Sequence, residues 1–227
     1  MNCTEAALRE MVKRHGGVVA SGRHDDPTGP LCILELGSAC LVEDGYLSAI
    51  TDDPAVLGRP DYRPINDASW SSRAAATEPM LRLHLAYASW GQWSTKRRRH
   101  VVEQIVRGTV REIVAELPGL SDTVRDQCRE ATSSRECAVA ARAAASEAWK
   151  HAEEALEEGA GAASGAWEVA ARVASAAEWA VKDGTTEAAR AAASAAEWAV
   201  KDGTTEAADA ADAVLLRVVD LWCAAAR

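Results

Sequence analysis

The 227-residue chain contains no phenylalanine and only three methionines, so valine, leucine, isoleucine and alanine must supply most of its core. No apolar run approaches the ~18–20 residues that a membrane-spanning helix needs. The first ten residues carry acids and no apolar stretch, unlike a secretory signal. These absences predict a cytoplasmic protein that does not contact a membrane.

The common local motifs of catalysis are also missing. The sequence has no glycine-rich phosphate loop, no nucleophile elbow and no HExxH zinc motif. Its six cysteines form no CxxC pair, and in a reducing compartment scattered cysteines are mostly small buried apolar residues. We therefore predict no cofactor and favour a function that is not enzymatic.

The acidic excess is concentrated in the C-terminal part of the chain. Residues 1–127 contain 15 basic and 17 acidic side chains, whereas residues 128–227 contain 10 basic and 17 acidic ones. Because affinity for nucleic acid depends on a basic surface, this distribution disfavours nucleic acid as a general partner.

One stretch of 16 residues occurs twice. Ala174–Ala189 and Ala193–Ala208 are identical and are offset by 19 residues. In one unbroken helix this offset would place Trp179 and Trp198 about 100° apart. Lys-Asp-Gly-Thr-Thr-Glu closes each unit with a helix stop, a cap and an acid near the next N-terminus. We therefore predict helical hairpins, and a duplicated unit is typical of a scaffold or assembly surface.

The final segment predicts a helix–helix seam. Leu215, Val218 and Trp222 recur at spacings of three and four residues, and Trp179 and Trp198 are the large side chains of the repeat units. We interpret these five residues as interaction positions. An alanine-rich helix buries little apolar area alone, so packing against like copies or another protein is favoured.

The N-terminal part has separate helix signals and a set of acidic residues. Thr4 is expected to cap a first helix, Thr77-Glu78-Pro79 to open another, and residues 95–117 to form a third. His84 is expected in or beside the core. The weak catalytic candidates are Glu35, Asp52, Asp53 and Asp67, since paired carboxylates serve in acid–base chemistry or cation binding. Capping and structural pairing explain the same residues without catalysis.

A short pattern in this region resembles a known family. The residues that carry the resemblance are Cys32-x-x-Glu35, Gly45, Thr51-Asp52-Asp53-Pro54, Pro64 and Asn66-Asp67. The pattern is similar to the N-terminal module of alanine-rich proteins from high-GC bacteria and their phages. Members join this module to a variable tail of Ala/Trp helices, so the resemblance implies an architecture and no chemistry.

Lys96, Arg97, Arg98 and Arg99 form the one cluster of four consecutive basic residues. In the first turn of a helix these charges oppose the dipole. The alternatives are a solvated face, pairing with acidic helices of this chain or another copy, and phosphate contacts.

Together these patterns predict an all-α protein. A helical N-terminal module occupies residues 1–120, and an alanine-rich antiparallel helical array with a 19-residue repeat occupies residues 121–227. The favoured function is assembly with like copies or a protein partner. The alternatives are a small enzyme or metal-binding module using the N-terminal acids, and a nucleic-acid-associated factor using residues 96–99.

Overall fold

A computed structural model describes residues 3–24, 26, 28–117, 119–158, 175 and 205–227, with the backbone alone for 205–210. Within these residues the chain forms nine α-helices and no strand, which confirms the helical class. The helices are α1 (Glu5–Arg14), α2 (Ile33–Glu43), α3 (Pro54–Leu57), α4 (Arg63–Asn66), α5 (Arg73–Ala86), α6 (Thr95–Glu112), α7 (Asp122–Glu130), α8 (Ser134–Glu157) and α9 (Thr205–Ala226). None of them is long and apolar enough to cross a membrane.

Five of the described helices begin after a serine or threonine cap, although one predicted start is wrong. Thr4 accepts a hydrogen bond from the Ala7 amide at 3.2 Å, as expected for the cap of α1. The start predicted at Thr77–Pro79 lies within α5, because Ser72 caps that helix earlier. The Thr77 hydroxyl instead accepts from the Val19 amide and donates to the Arg73 carbonyl.

The helix predicted over residues 95–117 ends early. It stops at Glu112, and a short 3₁₀ turn follows at Val114–Glu116. Leu117 is extended at φ −60° and ψ 134°. The next residue in the sequence is proline, which disfavours a helical conformation at Leu117. The tighter turn also directs Val114 into the core, where it is fully buried.

The last helix packs into the first half of the chain. α9 contacts both α5 and α6, and Leu215, Val218 and Trp222 are fully buried there. The Tyr87 hydroxyl donates to the Trp222 carbonyl at 2.8 Å. One hydrophobic cluster therefore extends from Cys3 to Ala226. The predicted division at residue 120 stays a prediction, but α9 belongs to this shared core.

Two of the six cysteines depart from the expectation of free thiols. Cys3 and Cys40 form a disulfide that links the start of the chain to α2. Cys32, Cys128 and Cys137 are free and buried, as small apolar residues would be. Burial raises the pKa of Cys128 to about 11, so this thiol stays protonated at neutral pH.

Candidate functional site

An open cavity of about 700 Å³ lies between the loop before α2, α2 itself and the segment before α3. It brings together three of the four acidic residues that the sequence singled out. Its lining combines charged and apolar side chains: Arg23, His24, Leu31, Glu35, Val42, Ala49, Ile50, Thr51, Asp52 and Asp53.

Glu35 is placed by the start of α2. Cys32 occupies the cap position, and its sulfur accepts from the Glu35 amide at 3.5 Å. The Glu35 carboxylate reaches back to accept from the Cys32 amide at 2.9 Å, which completes a capping box with cysteine in place of serine or threonine. Glu35 is only 3% exposed, so it is the structurally paired acid that the sequence allowed.

His24 completes the hydrogen bonding of this carboxylate. Its backbone amide donates to Glu35 Oε1 at 2.8 Å, and its ring Nδ1 lies 2.8 Å from Oε2. We assign the proton to Nδ1, because both oxygens of this carboxylate already accept hydrogen bonds from backbone amides. This tautomer leaves the Nε2 lone pair available, on a ring that is 25% exposed. The pair has the carboxylate–imidazole arrangement that orients a general base.

The aspartates have three different positions. Asp52 lines the cavity and lies 3.8 Å from Arg63. Asp53 caps α3 by accepting from the Ala55 amide at 2.8 Å, which confirms its capping role. Asp67 does not line the cavity. Its carboxylate accepts from the Gly22 amide at 2.7 Å and thereby holds the loop that carries His24.

The described residues give the metal hypothesis no support. They contain no group of three or more histidine, cysteine, aspartate or glutamate side chains that could hold an ion. Two hydrogen bonds from Thr28 hold Asp26 in a turn, and Asp25 lies outside the described residues. The described cavity instead combines the imidazole of His24 with the charged side chains of Asp52 and Arg23.

The four basic residues at the start of α6 differ in their contacts and exposure. The Arg97 guanidinium lies 4.1 Å from the centre of the Trp93 ring and donates to the Ala226 carbonyl at 3.1 Å. A cation at the C-terminal end of α9 interacts favourably with the helix dipole. Lys96 and Arg99 are exposed, and Arg98 is partly exposed. One arginine of the run therefore stabilises the fold.

The five predicted interaction residues divide into two groups. Leu215, Val218 and Trp222 form the seam of α9, and their partners in this structure are helices of the same chain. Trp179 and Trp198 lie outside the described residues, as does the repeat apart from Ser175 and residues 205–208.

Comparison with protein families, curated proteins and solved structures finds no match to this chain. The contact between His24 and Glu35 was not predicted from the sequence. The spacing of Cys32 and Glu35 was the available signal, because it indicates a capping box. The second carboxylate oxygen of a capping glutamate can accept a hydrogen bond from another residue.

Proposed function

We propose that this protein is a non-enzymatic assembly protein that packs with like copies or a partner through its alanine-rich C-terminal helices. The observation that carries the proposal is the outer face of α8. Trp149 and Leu156 lie one heptad apart on this helix and are 45% and 66% exposed. Seven residues make almost two full turns, so both side chains project in nearly the same direction.

The two faces of α8 differ in composition. Its inward face consists mainly of buried alanine, including Ala141, Ala144 and Ala148, and it packs on α6 and α7 of the same chain. Exposed large apolar side chains near one another are typical of interaction surfaces. Arginine and tryptophan frequently dominate the binding energy at such surfaces.

The proposal also covers the 19-residue repeat, the cellular location and the basic residues 96–99. The 19-residue repeat is proposed to extend the same surface as an antiparallel helical array. We retain a cytoplasmic location as part of the proposal, although the Cys3–Cys40 disulfide is more typical of an oxidising compartment. Nucleic-acid binding through residues 96–99 is less favoured, since Arg97 already contacts Trp93 and Ala226.

The proposal is tested by measuring molar mass with light scattering during size exclusion. We expect the intact chain to elute at a multiple of its 24.1 kDa mass or to capture a protein partner. Trp149→Ala with Leu156→Ala should shift the mass toward the monomer, because it removes apolar area from the contact. Tyr46→Ala with Val56→Ala is the matched control, since these side chains are similarly exposed elsewhere. An intact chain that is monomeric and captures no partner, or an assembly that the α8 change leaves intact, would contradict the proposal.

A second candidate is a small acid–base enzyme, and the His24–Glu35 pair favours it. The carboxylate fixes the imidazole tautomer, and the cavity provides about 700 Å³ beside the ring. A base held in this way accepts a proton from a water or a substrate hydroxyl. The flanking Asp52 and Asp53 favour a substrate with a cationic or hydrogen-bond-donating group.

This candidate is tested with an activated aryl ester as the probe. We expect His24→Gln to lower the rate of hydrolysis about 100-fold, the size typical of a lost general base. Glu35→Gln should lower it less and alter the pH profile. His100→Gln removes an exposed histidine outside the cavity and serves as the control. Equal rates for the His24 and His100 variants would rule out a catalytic role for the pair.

A further inference from the structure

We propose that the acidic end of α8 in one copy docks into a basic groove between α6, α7 and α9 of another copy. This inference rests on the proposed assembly function and assigns its contact surfaces. The groove has a volume of about 410 Å³. The residues that carry its chemistry are Arg107, Arg111 and Arg129 on the walls and Leu221, Ala224 and Ala225 along the α9 side.

The groove concentrates positive charge in a chain whose net charge is −9. Arg107 donates to the Thr132 carbonyl at 3.3 Å, which is a neutral partner. Arg111 is exposed and makes no ion pair with the part of the chain that the structure describes. Arg129 pairs with Glu116 at 2.9 Å, but both side chains are about half exposed, so the contact is readily exchanged.

One carboxylate also lines the groove, and it is already engaged. Glu112 accepts from Arg217 at 3.3 Å. The C-terminal turn of α9 adds partial negative charge, which the arginines offset in the free protein. A further anionic group is still favoured, because three guanidinium groups face one paired carboxylate.

The last two turns of α8 have the complementary chemistry. Glu153 and Glu157 are exposed, and neither forms an ion pair with the described residues. The exposed Leu156 lies between them, whereas Glu154 is paired with Lys150 and His151. Two exposed carboxylates around an apolar side chain fit a groove with arginine walls and an apolar side.

The acidic end of α8 cannot reach the groove of its own chain. α8 begins beside it, since Ser134 lines an adjoining cavity together with Gln104 and Arg107. At ~1.5 Å per residue, Glu157 lies roughly 35 Å along the helix from Ser134. The contact is therefore between copies. Because it joins two different surfaces, it is head-to-tail and closes into a ring or extends as a filament.

The test uses charge reversal in the full-length chain. One variant carries Arg107→Glu and Arg111→Glu, and the other carries Glu153→Arg and Glu157→Arg. By sedimentation at low salt, we expect each variant alone to associate about tenfold or more weakly than the unchanged chain. An equimolar mixture should restore association, since each reversed surface then finds its opposite. Restoration also shows that both variants fold.

Arg98→Glu with Arg99→Glu is the matched control, because it makes the same charge change on α6 outside the groove. Association of the unchanged chain should weaken as salt rises. If the unchanged chain associates and the reversed variants associate equally well, the inference fails while the assembly function stands. If the unchanged chain is monomeric at every concentration, both self-association and this inference fail. Stabilisation of that monomer by tripolyphosphate, lost with Arg107→Glu and Arg111→Glu, would assign the groove to a phosphate ligand instead.

Discussion

At the scale of single residues, a buried histidine explains why α2 contains a glycine. His84 is 2% exposed, and its Nδ1 lies 2.6 Å from the Tyr62 hydroxyl. Burial lowers the pKa of His84 to about 3, so the ring is neutral at physiological pH. The ring lies directly against Gly37, where an added Cβ would be 2.4 Å from Nε2 and Cε1. Glycine is required there by the imidazole, despite its cost within a helix.

We therefore expect Gly37→Ala to lower the free energy of unfolding by about 1–3 kcal/mol, because it overpacks a filled site. Gly108→Ala in α6 is the matched control. Its Cβ would lie 2.9 Å from the flexible end of Leu221, which can move aside. Higher helix propensity should then leave that variant unchanged or more stable. Urea unfolding followed by tryptophan fluorescence measures both, and a Gly37→Ala protein as stable as the parent would contradict the steric explanation.

At the scale of the helix, α8 has a hydrogen-bonded first turn in addition to its buried alanine face. Ser133 and Glu136 form a reciprocal capping box. One oxygen of Glu136 accepts from the Thr132 amide, the Thr132 hydroxyl and the Ser133 amide at 2.8–3.0 Å. These donors stabilise the carboxylate and lower the pKa of Glu136 to about 2.

The lowered pKa predicts how this cap responds to acid. A carboxylate with a depressed pKa in the folded state adds stability above its unfolded pKa of about 4.3. That contribution is lost as the pH falls toward 2. Glu136→Gln should therefore be less stable than the parent at neutral pH, and the difference should shrink between about pH 5 and pH 2.

Thermal unfolding across this pH range measures the effect. Glu153→Gln is the control, since that side chain lies on the same helix without those hydrogen bonds. A stability difference for Glu136→Gln that stays constant down to pH 2 would contradict the assignment.

Much of the helical structure could be predicted from local patterns in the sequence. The Thr4 cap, the Asp53 cap and the helical class follow from side chains that act on their own backbone. The start of α5 was placed wrongly because two hydroxyl caps compete nearby in the sequence. The Val19 amide donates a hydrogen bond to the Thr77 hydroxyl instead. A partner 58 residues away cannot be identified from the local sequence.

At the scale of the whole molecule, the long-range contacts could not be predicted from the sequence. The seam of α9 is visible as a pattern of apolar residues, but the pattern does not say which helices cover it. In the structure α5 and α6 do so, with Tyr87, Trp90, Trp93 and Trp222 forming an aromatic cluster at centroid distances of 5.4–5.9 Å. The cavity likewise depends on contacts that the sequence pattern does not show. Glu35, Asp52 and Asp53 were identified separately, and the turn of the chain through His24 brings the site together.

The position of α9 has a consequence for how the chain is made. The apolar surface that α5 and α6 present to α9 leaves the ribosome long before residues 205–226 exist to cover it. At about 5–20 residues per second, synthesis of the segment between α6 and α9 takes roughly 5–20 s. During that interval the nascent chain exposes a surface ready for a chaperone or for aggregation. The rate of translation between α6 and α9 therefore determines how long this apolar surface stays uncovered.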